Sequence, residues 1–275
     1  MERVGFDLAR APALVAERGC SLGQPLHLLA STSSTNDEAK HGAQSGAPHG
    51  ATWIAEEQSA GRGRQGRSWV AARGESLLFS VLLRLDVPPT RLPLVSIIAG
   101  LAVRDAVARA APGAGVGVKW PNDVVAGARW EQKVAGVLVE AVTSGKRVQA
   151  AIVGIGVNVH SRDFPADIAG RATSVARLAE LAGGSAEPPD RAALLADVLA
   201  GLDRDLHVAL HRGLGILRAR LDEADILRGR PVRNAVLAES VAARAEGIDD
   251  EGRLVVTTRD GGIARWSAGE VHLGS

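Results

Sequence analysis

The pattern of apolar and polar residues divides the chain into two parts, and its character changes after Gly229. In the first part, residues 22–30 (LGQPLHLLA) and 51–57 (ATWIAEE) each predict a short strand. Thr35 and Glu38 have the spacing of a capping box, which predicts a helix from Asn36. Residues 76–85 (SLLFSVLLRL) are apolar without alternation, the pattern of a strand buried on both faces. Residues 91–111 carry Ala, Leu and Val at helical spacing and stop before Pro112. Val116–Trp120 predicts a strand halted by Pro121, which disfavours helix at the residue before it. Residues 133–142 and 147–159 pair as hairpin strands across Thr143–Lys146, and the pattern is helical from 172 to about 227.

Beyond Gly229 the chain consists of short alternating runs broken by Asp249–Gly252 and Asp260–Gly262. That pattern predicts a small SH3-like β-barrel of about five strands. The expected organisation is an N-terminal extension (1–21), a mixed α/β domain (22–227) and an all-β domain (228–275).

Composition removes several function classes. A formal net charge of +1 leaves no global basic footprint for nucleic acid. A single cysteine, Cys20, excludes an internal disulfide, and no apolar run approaches the roughly 18 residues of a membrane span. Charges within the first twenty residues argue against a signal peptide, so the expected compartment is the cytoplasm. Aromatic residues make up 3% of the chain with no tyrosine, which singles out the five tryptophans as special positions.

The most unusual segment is Gln58–Trp69 (QSAGRGRQGRSW). From Gln58 to Arg73 it carries Arg62, Arg64, Arg67 and Arg73 with no acidic residue. Glycines let backbone approach a ligand closely and arginines supply forked donors, so the segment suits a loop closing over a phosphoryl group. It formally contains G-x-G-x-x-G, but no helical pattern comes after it, so the dinucleotide fingerprint lacks its context. An RNA-binding arm or a solvated loop are the competing readings. Lys119–Asp123 (KWPND) puts a lysine at a strand end with Asn122 and Asp123 beyond a proline. Asp123 can hold Mg²⁺ with substrate phosphates completing the shell, or simply close a turn. Lys133 opens an apolar strand, where a lysine commonly snorkels to the surface. In Val153–Val159, Gly154 and Gly156 leave one strand face open to a ligand or to tight packing. Ser33–Asn36 reads as a helix N-terminus, which also offers free amides to a polar group. No G-x-x-x-x-G-K-[ST] occurs, so a nucleotide site here is not a P-loop.

Taken in order, Ser34-Thr35-Asn36, Glu57–Trp69, Lys119–Asp123, Lys133–Glu140, Gly154–Asn158 and the tail Trp266–Val271 resemble biotin protein ligase. The resemblance covers about residues 25–273. It implies an α+β fold: a mixed-sheet, class II synthetase-like biotin/lipoate ligase domain and then the SH3-like domain. Two departures stand out. Only 33 residues precede Ser34, too few for the winged helix of the family's repressor members, so a ligase-only type without DNA partner is expected. The loop from Asp123 to Lys133 is longer than the family's, with Gln132 where a basic residue is common and a hairpin tip expected at Arg129-Trp130.

The resemblance also implies a reaction and a set of site residues. Biotin's carboxylate attacks the α-phosphate of ATP to give biotinyl-5′-AMP, and a lysine of the biotin carboxyl carrier protein then displaces AMP. The catalytic set implied is Lys133, Arg64, Lys119 and Asp123. Biotin is held by Ser34, Thr35, Asn36, Gln58, Arg62, Gly63, Arg64 and Lys133. The nucleotide is held by Arg62, Arg64, Arg67, Trp69, Asn122 and Asn158, and Asp123 either binds Mg²⁺ or helps take the proton of the incoming lysine. Residues 59–69 are expected to move when ligand binds. The partners implied are the carrier protein, biotin and ATP; no membrane is expected, and a homodimer is an assembly the family allows. Lipoate or octanoate ligases share the fold, but Gly61–Trp69 and Lys119–Asp123 point to biotin. A non-catalytic regulator sensing biotinyl-AMP is the rival of a different class.

Overall fold

The computed structural model describes residues 7–127, 132–144, 147–184, 189–235 and 241–273. The expected hairpin tip at Arg129-Trp130 lies outside the described residues. Among the described residues no helix is long and apolar enough to cross a membrane.

A seven-stranded sheet forms the frame, built from β1 (Leu26–Leu29), β2 (Thr52–Ala55), β3 (Ser76–Val87), β4 (Val116–Lys119), β5 (Asp123–Ala126), β6 (Gln132–Ser144) and β7 (Arg147–Asn158). Its order is β1-β2-β3-β7-β6-β5-β4; β1 and β2 run parallel and the other neighbours antiparallel, so the sheet is mixed. β3 is buried throughout its first eight residues because both of its faces are covered. Leu77, Phe79, Val81 and Leu83 enter the main core, shared with α3 (Leu92–Ala110) and α5 (Arg191–Arg212). Leu82 on the opposite face joins Ala39 and Ala43 of α2 (Thr35–Gln44), with Trp53 and Ile152. Ser80 lies on that second face and meets the start of α2.

The helical stretch resolves into α4 (Val175–Leu181), α5 and α6 (Arg218–Ala224). Asp190 caps α5 by accepting from the amides of Ala192 and Ala193, and Gly213 ends it at φ 76°. Two elements escape the sequence pattern. α1 (Ala11–Glu17) buries Ala11 and Val15 in the main core beside α5. β5 occupies residues that the pattern assigns to a turn and a long loop, pairing Val124 and Val125 between β4 and β6. A buried charge cluster ties these layers together: Arg191 bonds Glu56 (2.7 Å) and Asp7 (2.7 Å), with Arg191 and Glu56 each 3% exposed.

The second sheet comprises β8 (Pro231–Asn234), β9 (Val241–Ile248), β10 (Leu254–Thr258), β11 (Ile263–Trp266) and β12 (Val271–Leu273). It is antiparallel in the order β11-β10-β9-β8-β12. Its inner residues Val232, Ile248, Leu254, Val256, Trp266 and Val271 belong to the same continuous core as the larger sheet. Trp120, 1% exposed at the end of β4, donates its indole N–H to the carbonyl of Gly252 (2.9 Å), which fixes that strand end against the small domain.

Candidate active site

The site forms where the ends of β4, β5, β6 and β7 meet the arginine-rich loop and the start of α2. The β4–β5 register sets Lys119 opposite Asp123. A bulge between Val124 and Val125 shifts the pairing so that Lys133 sits opposite Val125. Its backbone is clamped on the other side by Arg171 and Thr173 (2.8 and 3.0 Å). The Lys133 ammonium then lies 2.7 Å from Asp123 Oδ1 and 5.5 Å from the Trp69 ring centre.

The arginine loop is folded back on itself. Gly63 N–H donates to Arg67 O, Trp69 N–H donates to Gly61 O, and Gln65 sits at φ 56° in the tip. Each arginine leaves the loop in a different direction. Arg62 makes a forked pair with Asp37 (2.8 and 2.7 Å) and reaches Glu140 at 3.3 Å. Arg64 donates to Asn122 Oδ1 at 3.2 Å, and Asn122 is held by its own bond to Val137 O. Arg67 crosses to Glu270 of the small domain at 2.8 Å.

The start of α2 differs from its expected cap. The helix begins at Thr35, with Ser34 at the N-cap position but making no side-chain cap bond. Glu38 accepts from Thr32 Oγ1 instead of closing a box. The backbone N–H of Thr35 is taken by Gln58 Oε1 at 2.7 Å, so a residue of the arginine-loop segment supplies the acceptor that the helix lacks locally. Behind it, Ser80 Oγ lies 2.7 Å from Thr35 Oγ1 and 2.6 Å from Asn36 Oδ1, and Asn36 donates to Glu140 Oε2 at 2.6 Å.

Gly154 and Gly156 prove to be close-approach positions. A Cβ on Gly154 would stand 2.2 Å from Asn36 Oδ1, and one on Gly156 would stand 2.6 Å from the Trp69 ring. The open strand face is therefore filled by Asn36 and Trp69.

Two clefts meet around Lys133. The first is lined by Ser34, Thr35, Asn36, Gln58 and Arg62, with Gly136, Val137, Leu138 and Ile155 supplying apolar wall. The second is lined by Arg67, Lys119, Asp123 and Glu270. Gly63, Arg64, Trp69, Asn122 and Lys133 border both. The Trp69 indole N–H is buried here with no hydrogen-bond partner among the described residues. Asn158 borders neither cleft: it is 8% exposed and donates to Thr173 O at 3.1 Å, holding the segment that in turn clamps Lys133.

Charge is concentrated in this region. Burial pushes the Lys119 ammonium below its usual range, although Asp123 and Glu270 oppose the shift. Burial lowers the Arg64 guanidinium in the same way. Arg62 is shifted upward, chiefly by its bond to Asp37. Burial raises the Glu140 carboxyl, but the Asn36 bond and the Lys40 and Arg62 charges outweigh that and hold it below the ordinary carboxylate value. The sequence pattern does not single out Asp37, Glu140, Ser80 or Glu270 as site residues. Glu140 and Glu270 carry a signal only as members of the stretches Lys133–Glu140 and Trp266–Val271.

Residues 28–158 match the Biotin/lipoate A/B protein ligase family, and residues 228–274 match the Biotin protein ligase C terminal domain. A biotin–[acetyl-CoA-carboxylase] ligase of Mycobacterium tuberculosis is 35% identical over 254 residues, covering 90% of this chain and 89% of that one. The chain belongs to the biotin protein ligase family. The bifunctional ligase/repressor of Bacillus subtilis is 30% identical over 283 residues, covering all of this chain and 84% of the relative. The biotin protein ligase of Aquifex aeolicus, solved in complex with biotin and ATP, superposes with a TM-score of 0.72 at 27% identity, over 90% of this chain and 99% of that one. The mixed sheet and SH3-like tail expected of this family are the architecture observed.

Proposed function

We propose that this chain activates biotin with ATP to biotinyl-5′-AMP and transfers the biotinyl group to a lysine of the biotin carboxyl carrier protein of a carboxylase. The observation that carries this reading is the junction of the two clefts. Lys133 and Arg64 border both, so a carboxylate arriving in one cleft and a phosphate arriving in the other meet the same cations.

The first cleft suits biotin. Ser34, Thr35 and Gln58 offer hydroxyl and amide groups for the ureido ring, and Val137, Leu138 and Ile155 face its apolar body. The second suits a nucleotide phosphate chain, with Lys119, Arg67 and Lys133 on its walls. Two anions must approach within bonding distance, so the cations' task is to cancel their repulsion and to stabilise the charge that develops. A biotin carboxylate oxygen forms a bond to the α-phosphorus, and the bond from that phosphorus to the bridging oxygen breaks, releasing pyrophosphate. In the second step a neutral lysine nitrogen attacks the acyl carbon, the bond to the AMP oxygen breaks with AMP taking the electron pair, and the proton from the nitrogen passes to solvent. Neither step needs an enzyme nucleophile, in keeping with a lone Cys20 that is buried away from the clefts.

Asp123 and Glu270 line the second cleft, and one or two carboxylates completed by substrate phosphates are the donor set Mg²⁺ takes. Asp123 would hold the ion, which when bound neutralises phosphate charge. With Lys133 at 2.7 Å, Asp123 also orients the ammonium that faces the carboxylate.

Incubation with Mg-ATP and either biotin or lipoate, read by pyrophosphate release and mass spectrometry, tests the proposal. Biotin-dependent adenylate and label transfer to the carrier domain are expected. Turnover with lipoate alone would replace the substrate, and no adenylate with either acid would remove the activity.

A further inference from the structure

The outer face of the small sheet carries an unneutralised positive hollow. Arg233, Arg244 and Arg259 border it, all three exposed, around a floor that includes Ala242 and Thr257. Among the described residues none of the three has an ion pair or side-chain hydrogen bond, whereas Arg228 is matched by Asp222, and Arg253 and Arg265 by Asp249. The carboxylate next along β9 on that side, Glu246, stands outside the lining of the hollow, accepts from the Thr257 hydroxyl at 2.8 Å and makes no ion pair with any of the three. Because the chain as a whole is +1, the hollow is a local concentration and not the consequence of a basic protein.

Its position ties it to the active site. In an extended strand, residues two apart share a side of the sheet. Glu270 and His272 are such a pair, with their polar atoms 3.8 Å apart. Glu270 lines the phosphate-side cleft and holds Arg67, while His272 stands opposite Arg233 in the β8–β12 register. Through Glu270 and His272 the wall of the cleft is thus adjacent to the basic face. Like charges without counter-ions around one concavity favour an anionic partner. Among the described residues the face carries no Phe, Trp or Tyr side chain for a nucleic-acid base to stack on, and His272 is its one aromatic ring, which favours a protein.

We propose that this hollow docks the acceptor protein, whose acidic side chains meet Arg233, Arg244 and Arg259 while its lysine enters the cleft past Glu270. The inference rests on the adenylation-and-transfer reading above and adds the acceptor's charge and its landing surface.

The test uses the full chain and the triple variant Arg233→Glu, Arg244→Glu, Arg259→Glu. Biotin-dependent pyrophosphate release is measured first; then transfer to a purified apo carrier domain of a bacterial acetyl-CoA carboxylase with negative net charge, at low and high salt. Pyrophosphate release should be unchanged in the variant. Transfer at low salt should lose about tenfold or more in kcat/KM, through KM, and the salt dependence seen with the unmodified chain should flatten. A triple Lys variant should keep most of the transfer activity. Transfer by the Glu variant within about twofold of the unmodified chain overturns the docking surface, as does adenylate formation by the unmodified chain with no transfer to the acidic carrier. Salt-sensitive retention of a single-stranded oligonucleotide, lost in the Glu variant while transfer persists, reassigns the face to nucleic acid. Absence of pyrophosphate release by the unmodified chain removes the adenylation reading itself and this inference with it.

Discussion

Lys133 Nζ sits 2.7 Å from Asp123 Oδ1, joining two strands at the point where the two clefts meet. The contact is partly open to solvent, the side chains being 35% and 29% exposed, so it contributes little to folding, about 0–1 kcal/mol. Its consequence is positional: the ammonium is aimed at the junction before any ligand arrives.

Lys133→Ala should therefore separate activity from stability. Adenylate formation should fall by about 10²–10³-fold, the scale of losing a charge-stabilising group from an acyl-transfer site. The urea midpoint should barely change. A large loss of stability together with activity would mean that Lys133 acts as a structural strut.

The glycines opposite Asn36 and Trp69 predict a packing penalty. In Gly156→Ala the new methyl would stand 2.6 Å from the Trp69 ring, and Trp69 must move. A destabilisation of about 1–3 kcal/mol is expected. Because Trp69 borders both clefts, adenylate should also escape more freely, measured as its release after single-turnover formation. Unchanged stability and retention would show that this wall yields without cost.

Arg191 offers a test of how the frame supports the site. It meets Glu56 at the end of β2, two residues before Gln58, and both charges are 3% exposed. Arg191→Met removes the cation facing a buried carboxylate and should cost about 3–5 kcal/mol in urea unfolding. Because Gln58 holds the first amide of α2, the KM for biotin should rise in protein that remains folded.

Asp225 governs a pH dependence. Burial raises its carboxyl from 3.8 to about 6, and its Oδ2 has no hydrogen-bond partner among the described residues. A raised folded pKa means that the proton is held more tightly in the native state. The corresponding stability is fully present below the unfolded value of 3.8 and is lost as pH rises through about 6. The loss at neutral pH amounts to about 3 kcal/mol. Asp225→Asn should raise the urea midpoint at pH 7 and flatten its pH profile across that window. Its Oδ1 can still accept from Leu227 N–H, as the aspartate does at 3.0 Å. An unaltered profile would assign the titration elsewhere.

Much of this arrangement is legible in the chain itself. The unbroken apolar run of 76–85 announces a strand covered on both sides, and β3 is covered by α2 on one face and by α3 and α5 on the other. The hairpin of β6 and β7 arises from two apolar runs flanking a polar turn. α1 is not legible, because its short stripe of Ala11 and Val15 has meaning only against α5, far along the chain. β5 is hidden because Pro121-Asn122-Asp123 reads as a turn, while Val124–Ala126 is too short a run to declare a strand without its neighbours.

By itself the sequence determined the inventory of the site: a Gly/Arg loop, a lysine at each of two strand ends, an Asn-Asp pair, and glycines on one strand face. Those are chain-local properties, because backbone freedom and side-chain chemistry belong to each residue wherever it lies. Only the tertiary structure decided the partnerships. Arg62 goes to Asp37 and Glu140, Arg64 to Asn122, and Arg67 to Glu270 in the other domain, although the three lie within six residues of one another. A guanidinium's partner depends on which element comes within reach. That is set by strand order and by the closure of the small domain on the large, long-range contacts that no window of sequence contains.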